Sequence, residues 1–233
     1  MGNASVGKYR NIVTYAKTSI GFFIDMKDKN LYLVTSEECS ADRTTYDVAK
    51  EAVEAGVDIL QLREKGKSQQ ELLDLGKKLS ILCREREVLF IINDDPVLSK
   101  EVDADGVHLG QEDLLEYSID DVRAIVGSSK IIGVSTHSLE QLSQANQKDV
   151  DYIAFGPVFQ TKTKDYFIGD EDVEKALSLT TKPIIFIGGI DLSNVAGLIE
   201  KGVKNIAVIR AITEAEDISE RVQVFKKIVE QRV

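Results

Sequence analysis

Cysteine is scarce in this chain. Cys39 and Cys83 are the only two in 233 residues, far apart and without metal-ligand spacing. That excludes a disulfide-stapled scaffold and a cysteine-held zinc site, and a reduced, cytoplasmic chain is the simplest reading. Histidine is equally rare: His108 and His137 are the only two, and neither is spaced from another His or Cys as metal ligands are. Proline is limited to three residues, and no Pro/Gly/Ser-rich linker divides the chain. No stretch stays apolar for the roughly 18 residues that a membrane helix requires. Residues 1–28 lack the apolar core and cleavage site of a secretory signal. Positive charge is in deficit too, with 29 Lys plus Arg against 39 Asp plus Glu and a net charge of −10. Such a surface repels nucleic-acid phosphates and anionic membranes. An anionic small molecule would need a local cationic pocket in this negative body.

What is present is a regular alternation. Apolar and β-branched runs predict strands at Leu31–Thr35 and Ile59–Arg63, and near 89–93, 106–109, 131–135, 152–155, 183–187 and 205–209. Several are apolar on successive residues, as strands buried on both faces are. Between them lie helical stretches: Thr44–Ala55, stopped by Gly56, and Ser68–Arg86, opened by a Ser68/Glu71 capping box. Others fall near 96–102, 119–126, 138–147, 171–180, 191–201 and 216–231. Pro96 suits a helix N-terminus and Pro183 the entry to a strand. Eight short-linked βα units predict an α/β fold: a single-domain (β/α)8 TIM barrel over residues 29–233, behind an N-terminal extension over residues 1–28. A doubly wound open sheet is the alternative, although it rarely uses eight such regular units. Residues 5–17 read as a weak helix or a disordered arm.

In such a barrel the chemistry sits at the C-terminal ends of the strands, and the polar clusters fall there. Gln61 and Arg63 share one face of the second strand, aimed into the barrel mouth, and Lys65 follows. Arg63 either pairs with a barrel carboxylate or forks onto a phosphate. Asp94 and Asp113 end neighbouring units, and two such carboxylates repel unless a hard cation such as Mg²⁺ joins them to substrate phosphate. The structural role for Asp94-Asp95-Pro96 is a helix start, with Asp95 the better cap. Asn93 would hold that loop or a phosphate oxygen.

Ser135 follows the fifth strand, and Thr161-Lys162-Thr163-Lys164 lies in a polar loop after the sixth, suited to an anion or simply to solvent. Gly188-Gly189-Ile190-Asp191 ends the seventh strand and is expected to begin a helix, where glycine and the helix N-terminus would admit a phosphate. His108 reads equally as a satisfied core group or a catalyst, and His137 as a residue that orients the loop after the fifth strand.

As a set, Gln61-Leu-Arg-Glu-Lys65, Ile92-Asn-Asp-Asp95, Asp105-Gly-Val-His-Leu-Gly-Gln-Glu-Asp113, Gly133-Val-Ser-Thr-His137, Gly156-Pro-Val-Phe-Gln-Thr-Lys-Thr-Lys164 and Gly188-Gly-Ile190 resemble the thiamine-phosphate synthase family. The motifs occur in order over roughly residues 30–230. The resemblance implies a transferase of thiamine biosynthesis. Its substrates would be 4-amino-2-methyl-5-hydroxymethylpyrimidine diphosphate and 4-methyl-5-(2-phosphoethyl)thiazole, its products thiamine phosphate and diphosphate. It implies Asp94 and Asp113 as Mg²⁺ ligands, and Arg63, Lys65, Asn93 and Lys164 as holders of the diphosphate. Gln61 and Ser135 would lie near the pyrimidine and the departing group, and Thr161, Thr163 and Gly189 around the thiazole phosphate. Arg63, Lys65, Ser135 and Lys164 form the expected catalytic set.

The implied partners are the two small molecules, with no nucleic acid and no membrane, and a homo-oligomer is compatible. One departure stands out in Ala207-Val-Ile-Arg-Ala211: Arg210 occupies a position where the family usually has Ser, so it either adds an anion contact or points away. A related thiazole tautomerase would not need the full Arg63–Lys65–Asp94–Asp113–Lys164 set. A non-catalytic binding protein would tolerate loss of carboxylates that are present here.

Overall fold

The computed structural model describes residues 30–161 and 166–230. The expected extension at 1–28, with its arm at 5–17, lies outside the described residues, as do Thr163 and Lys164. Eight parallel strands close on themselves: β1 (Leu31–Val34), β2 (Ile59–Leu62), β3 (Leu89–Asn93), β4 (Gly106–Leu109), β5 (Ile131–Thr136), β6 (Tyr152–Phe155), β7 (Ile184–Ile187) and β8 (Ile206–Val208). The seam pairs Leu31 of β1 with Ile206 of β8. Each strand falls within two residues of where its apolar run placed it, and the open-sheet alternative is excluded by closure.

Side-chain parity splits the core into two layers. Tyr32, Val34, Ile59, Ile91, Ile131, Tyr152, Ile185 and Ala207 fill the barrel interior. The alternate residues, among them Leu33, Leu60, Phe90, Val107 and Phe155, meet the surrounding helices. Burial on both faces is why the strands read as unbroken apolar runs, and each fully buried Leu, Ile or Phe stabilises the fold by about 1.5–3 kcal/mol. Gly133 is required inside: a Cβ there would overlap the Tyr152 ring, which fills the space that the glycine leaves.

The helices are α1 (Thr45–Ala55), α2 (Gln69–Glu85), α3 (Pro96–Glu101), α4 (Asp113–Glu116), α5 (Ile119–Val126), α6 (Leu139–Asn146), α7 (Val173–Leu179), α8 (Val195–Glu200), α9 (Arg210–Thr213) and α10 (Ile218–Glu230). Their boundaries follow local chemistry. The capping box of α2 forms, with Glu71 Oε2 accepting from Ser68 N at 2.8 Å. Asp95 caps α3, accepting from Leu98 N at 2.8 Å with Pro96 behind it. Gly56 ends α1 in the left-handed region at φ +99°.

Three expectations need correction. The single-turn helices α4 and α9 are additional. Residues 170–172 form a 3-10 turn before α7. The helix expected from 191 starts only at Val195, because Asp191 Oδ1 accepts from Ser193 N at 2.8 Å and Asn194 Oδ1 accepts from Asp191 N at 3.0 Å. These short side chains form a turn that competes with helix. No described helix is long and apolar enough to cross a membrane.

Candidate active site

The strand ends deliver a charged cluster to one side of the mouth. Thr35, fully buried just past β1, positions the end of β2: its N–H donates to Gln61 O at 2.9 Å and its Oγ1 accepts from Arg63 N at 3.0 Å. The following Glu64 ties the same loop to its neighbour, accepting from Thr45 Oγ1 at 2.8 Å and from Glu37 N at 2.9 Å. Arg63 and Lys65, on either side of it, are therefore anchored through backbone and Glu64 while their own charges stay unpaired. Among the described residues neither makes an ion pair, which disfavours the internal-bridge reading of Arg63. Arg63, Lys65, Asn93 and Asp94 line a cleft of about 200 Å³.

Asp94 follows β3 with φ +66°, a left-handed conformation that Asp tolerates better than most residues. Its N–H donates to His108 O at 2.7 Å, across the β3–β4 pairing. Asp113 opens α4, and its Oδ2 accepts from Gly110 N at 2.6 Å. The two carboxylates meet. Burial raises the Asp94 pKa to about 7; the hydrogen bond and charge of Asp113 push the same way, against Arg63 and Asn93. Two carboxylates this close share a proton or a cation. Among the described residues no third His, Cys, Asp or Glu joins them, so an ion held here would take its other ligands from water or substrate. That suits Mg²⁺, which keeps several waters and binds one or two carboxylates plus phosphate oxygens.

Deeper in the barrel lies a polar core. Gln61 is 4% exposed and its Nε2 donates to Tyr32 Oη at 2.7 Å. Tyr32 Oη lies 3.0 Å from Tyr152 Oη. Tyr152 Oη lies 2.8 Å from His108 Nδ1, and His108 Nε2 lies 2.8 Å from Ser135 Oγ. His108 is a satisfied core group with both nitrogens partnered; burial lowers its pKa to about 4, so the ring is neutral. Gln111 fixes the Ser135 backbone, donating from Nε2 to its carbonyl at 2.5 Å. His137 ties the β5 loop to the β6 loop through Nδ1 and Gly156 O, 2.6 Å apart. Reading the sequence as strands missed Tyr32 and Tyr152. Their signal was a hydroxyl at the same inward parity as Gln61 and Ser135.

Residues 31–212 match the family model described as thiamine monophosphate synthase. The chain belongs to that family. A thiamine-phosphate synthase of Halalkalibacterium halodurans is 39% identical over 210 residues, covering 89% of this chain and 98% of its own. That of Dictyoglomus thermophilum is 41% identical over 207 residues, covering 88% and 92%. The solved thiamine phosphate pyrophosphorylase of Pyrococcus furiosus superposes with a TM-score of 0.81 at 35% identity, covering 89% of this chain and 98% of that one. The protein is a transferase of the thiamine-phosphate synthase family.

On the opposite side of this synthase-type barrel, two expectations change. Gly188 and Gly189 hold φ +100° and +67°, but their immediate reason is the β6 loop. Val158 N donates to Ile187 O at 2.9 Å and Phe159 N to Gly188 O at 3.0 Å. A Cβ on Gly188 would overlap Pro157, and one on Gly189 would sit 2.6 Å from Gln160 O. With α8 starting at Val195, the helix of this unit does not begin at the double glycine. Arg210 does not end β8; it opens α9 and pairs with Glu214 Oε1 at 2.8 Å. Thr161 stands at the edge of the described residues, beside the undescribed Thr163 and Lys164.

Proposed function

We propose that this enzyme condenses hydroxymethylpyrimidine diphosphate with thiazole phosphate, giving thiamine phosphate and diphosphate, with Mg²⁺ assistance and a dissociative course. The observation that supports it is the cluster of Arg63, Lys65, Asp94 and Asp113 at one side of the mouth, its cations making no ion pair among the described residues. A diphosphate–Mg²⁺ unit complements that cluster in both charges. Asp94 and Asp113 would hold the ion, which when bound neutralises charge on the diphosphate. Arg63 and Lys65, joined by Lys164 of the β6 loop, stabilise the negative charge that grows as the C–O bond breaks. The Ser135 hydroxyl adds a donor, and Gln61 orients the aminopyrimidine ring. That ring's amino group disperses the positive charge left on the methylene carbon. The thiazole nitrogen, held by its phosphate near Thr161, Thr163 and Gly189, then attacks this carbon. No protein nucleophile is needed; the rate comes from positioning and leaving-group stabilisation. We place the protein in the cytoplasm, in keeping with its two free, buried cysteines.

The test is diphosphate release with both substrates across a Mg²⁺ titration. Release should need both substrates and the metal, and Asp113→Asn should shift the metal dependence to higher concentration with the fold intact. A titration that leaves turnover unchanged would remove the metal assignment; no release with both substrates present would remove the reaction.

A further inference from the structure

We infer that a one-way chain of hydrogen bonds runs through the barrel core from Gln61 to Ser135, with Tyr32, Tyr152 and His108 as positioning residues that leave the Ser135 hydroxyl as a donor at the mouth. The role at Ser135 rests on the reaction proposed above; the polarity of the chain does not. It follows from counting protons. Gln61 presents Nε2, which only donates, so Tyr32 Oη accepts. Tyr32 is 2% exposed and its single hydroxyl proton has one remaining partner, Tyr152 Oη at 3.0 Å. Were Tyr152 to donate instead, the Tyr32 proton would be buried without an acceptor, which native interiors avoid. Tyr152 therefore passes its own proton to His108 Nδ1 at 2.8 Å. A neutral imidazole that accepts at Nδ1 carries its hydrogen on Nε2. Nε2 then donates to Ser135 Oγ at 2.8 Å. The Ser135 proton is thus released from the core.

The scaffold supports this chain. The His108 and Tyr152 rings stack with centroids 5.5 Å apart, and Gly133 makes the space for Tyr152. The path links β1, β2, β4, β5 and β6. It also couples two ends of one substrate: the amide that faces the pyrimidine dictates what Ser135 offers to the departing diphosphate.

His137 supplies an internal control, because its Nδ1 faces the carbonyl oxygen of Gly156 and must carry the hydrogen. The two histidines are therefore expected in opposite tautomers. Nitrogen-15 NMR of the full-length, substrate-free protein, at a pH where both rings are neutral, reads this directly, with His137→Gln assigning the signals. His108 should show a protonated Nε2 and a bare Nδ1. A protonated Nδ1 on His108 overturns the polarity: Gln61 would then turn its oxygen to Tyr32, and Ser135 would donate into the core.

Tyr152→Phe removes one oxygen and keeps the ring. It should unpin the His108 tautomer and lower kcat for diphosphate release by about tenfold, with the KM for thiazole phosphate unchanged. Wild-type kcat in this variant overturns the positioning role. Tyr32→Phe leaves His108 Nδ1 as the one acceptor for the Tyr152 proton, so the His108 tautomer should hold; a proton moved to Nδ1 in this variant overturns the chain, and the measurement stands should Tyr152→Phe not fold. A wild-type protein that releases no diphosphate would remove the proposed reaction and leave the tautomer measurement to decide the chain's polarity.

Discussion

The two ends of the barrel treat aspartate in opposite ways. At the floor, the residue just before β2, β4 and β6 is an aspartate that binds the start of the preceding strand. Asp58 Oδ2 accepts from Asn30 N and Leu31 N at 3.1 and 3.0 Å, Asp105 from Phe90 N at 2.8 Å, and Asp151 from Ile132 N at 2.7 Å. Two of them also take a cation, Lys226 on Asp58 at 2.9 Å and Arg123 on Asp151 at 3.0 Å. Asn205, before β8, completes the series by donating to Ile184 O at 3.2 Å. At the mouth, Asp94 and Asp113 face each other, and among the described residues neither Arg63 nor Lys65 closes an ion pair, although the Arg63 charge reaches Asp94. Both ends use the same side chains. Charges complemented within the protein hold strands in register, and charges left uncomplemented are available to a ligand.

The largest effect should come from the mouth. Arg63→Lys keeps the positive charge but loses the planar fork, so the rate of diphosphate release should fall by roughly 10²–10³ while the melting temperature barely moves. Wild-type turnover would take Arg63 out of the diphosphate site. The floor should show the reverse pattern. Asp58→Ala leaves two strand-start N–H groups without their acceptor and leaves Lys226 with only Glu230, 3.0 Å away. The expected loss is about 2–4 kcal/mol in denaturant unfolding, with kcat at 25 °C unchanged. A floor variant that loses activity without losing stability would break the division between the two ends.

How much of this was legible beforehand follows the same line. The strands were readable because burial on both faces writes them as apolar runs, and α1, α2 and α3 because Gly56, Ser68 and Asp95 carry their punctuation locally. The polar residues that end up around one mouth were readable from a simple rule, that loops after the strands face one way. What stayed hidden depends on partners remote in sequence. Val57-Asp58-Ile59 gives no sign that Lys226 is its partner. Tyr32 and Tyr152 meet across 120 positions. The double glycine at 188–189 matches a phosphate turn, yet its tight contact is with Pro157 and Gln160.

A smaller effect should separate the ends by pH. The Asp94 carboxyl titrates near 7 when folded, against an unperturbed value of 3.8. Between those values the native protein holds a proton that the unfolded chain has released. Metal-free stability contributed by this site is therefore fully present below about 4 and is lost as pH rises through 7. Mg²⁺ needs both carboxylates ionised, so its stabilising effect should grow over the same window. Melting temperatures from pH 5 to 8, with and without Mg²⁺, should show this, and Asp94→Asn should flatten both trends. A variant with the wild-type pH dependence would place the titration elsewhere.

The smallest effect belongs to Arg210, where sequence allowed either a phosphate contact or an outward ion pair. Its guanidinium is bound to Glu214, one turn along α9, and both side chains are partly in solvent. An exposed i,i+4 pair contributes about 0.3–0.5 kcal/mol. Were the arginine to leave Glu214 for a phosphate, it would trade one carboxylate for another anion, and the carboxylate would then repel that anion. The pair thus neutralises the charge that Arg210 brings to the end of β8, and Ser at this position should serve as well. Arg210→Ser is expected to lower stability by no more than that amount and to leave the KM of each substrate unchanged when each is varied separately. A rise confined to the KM of the thiazole phosphate would show that the pair opens for substrate, and would move Arg210 from the matched charges to the unmatched ones.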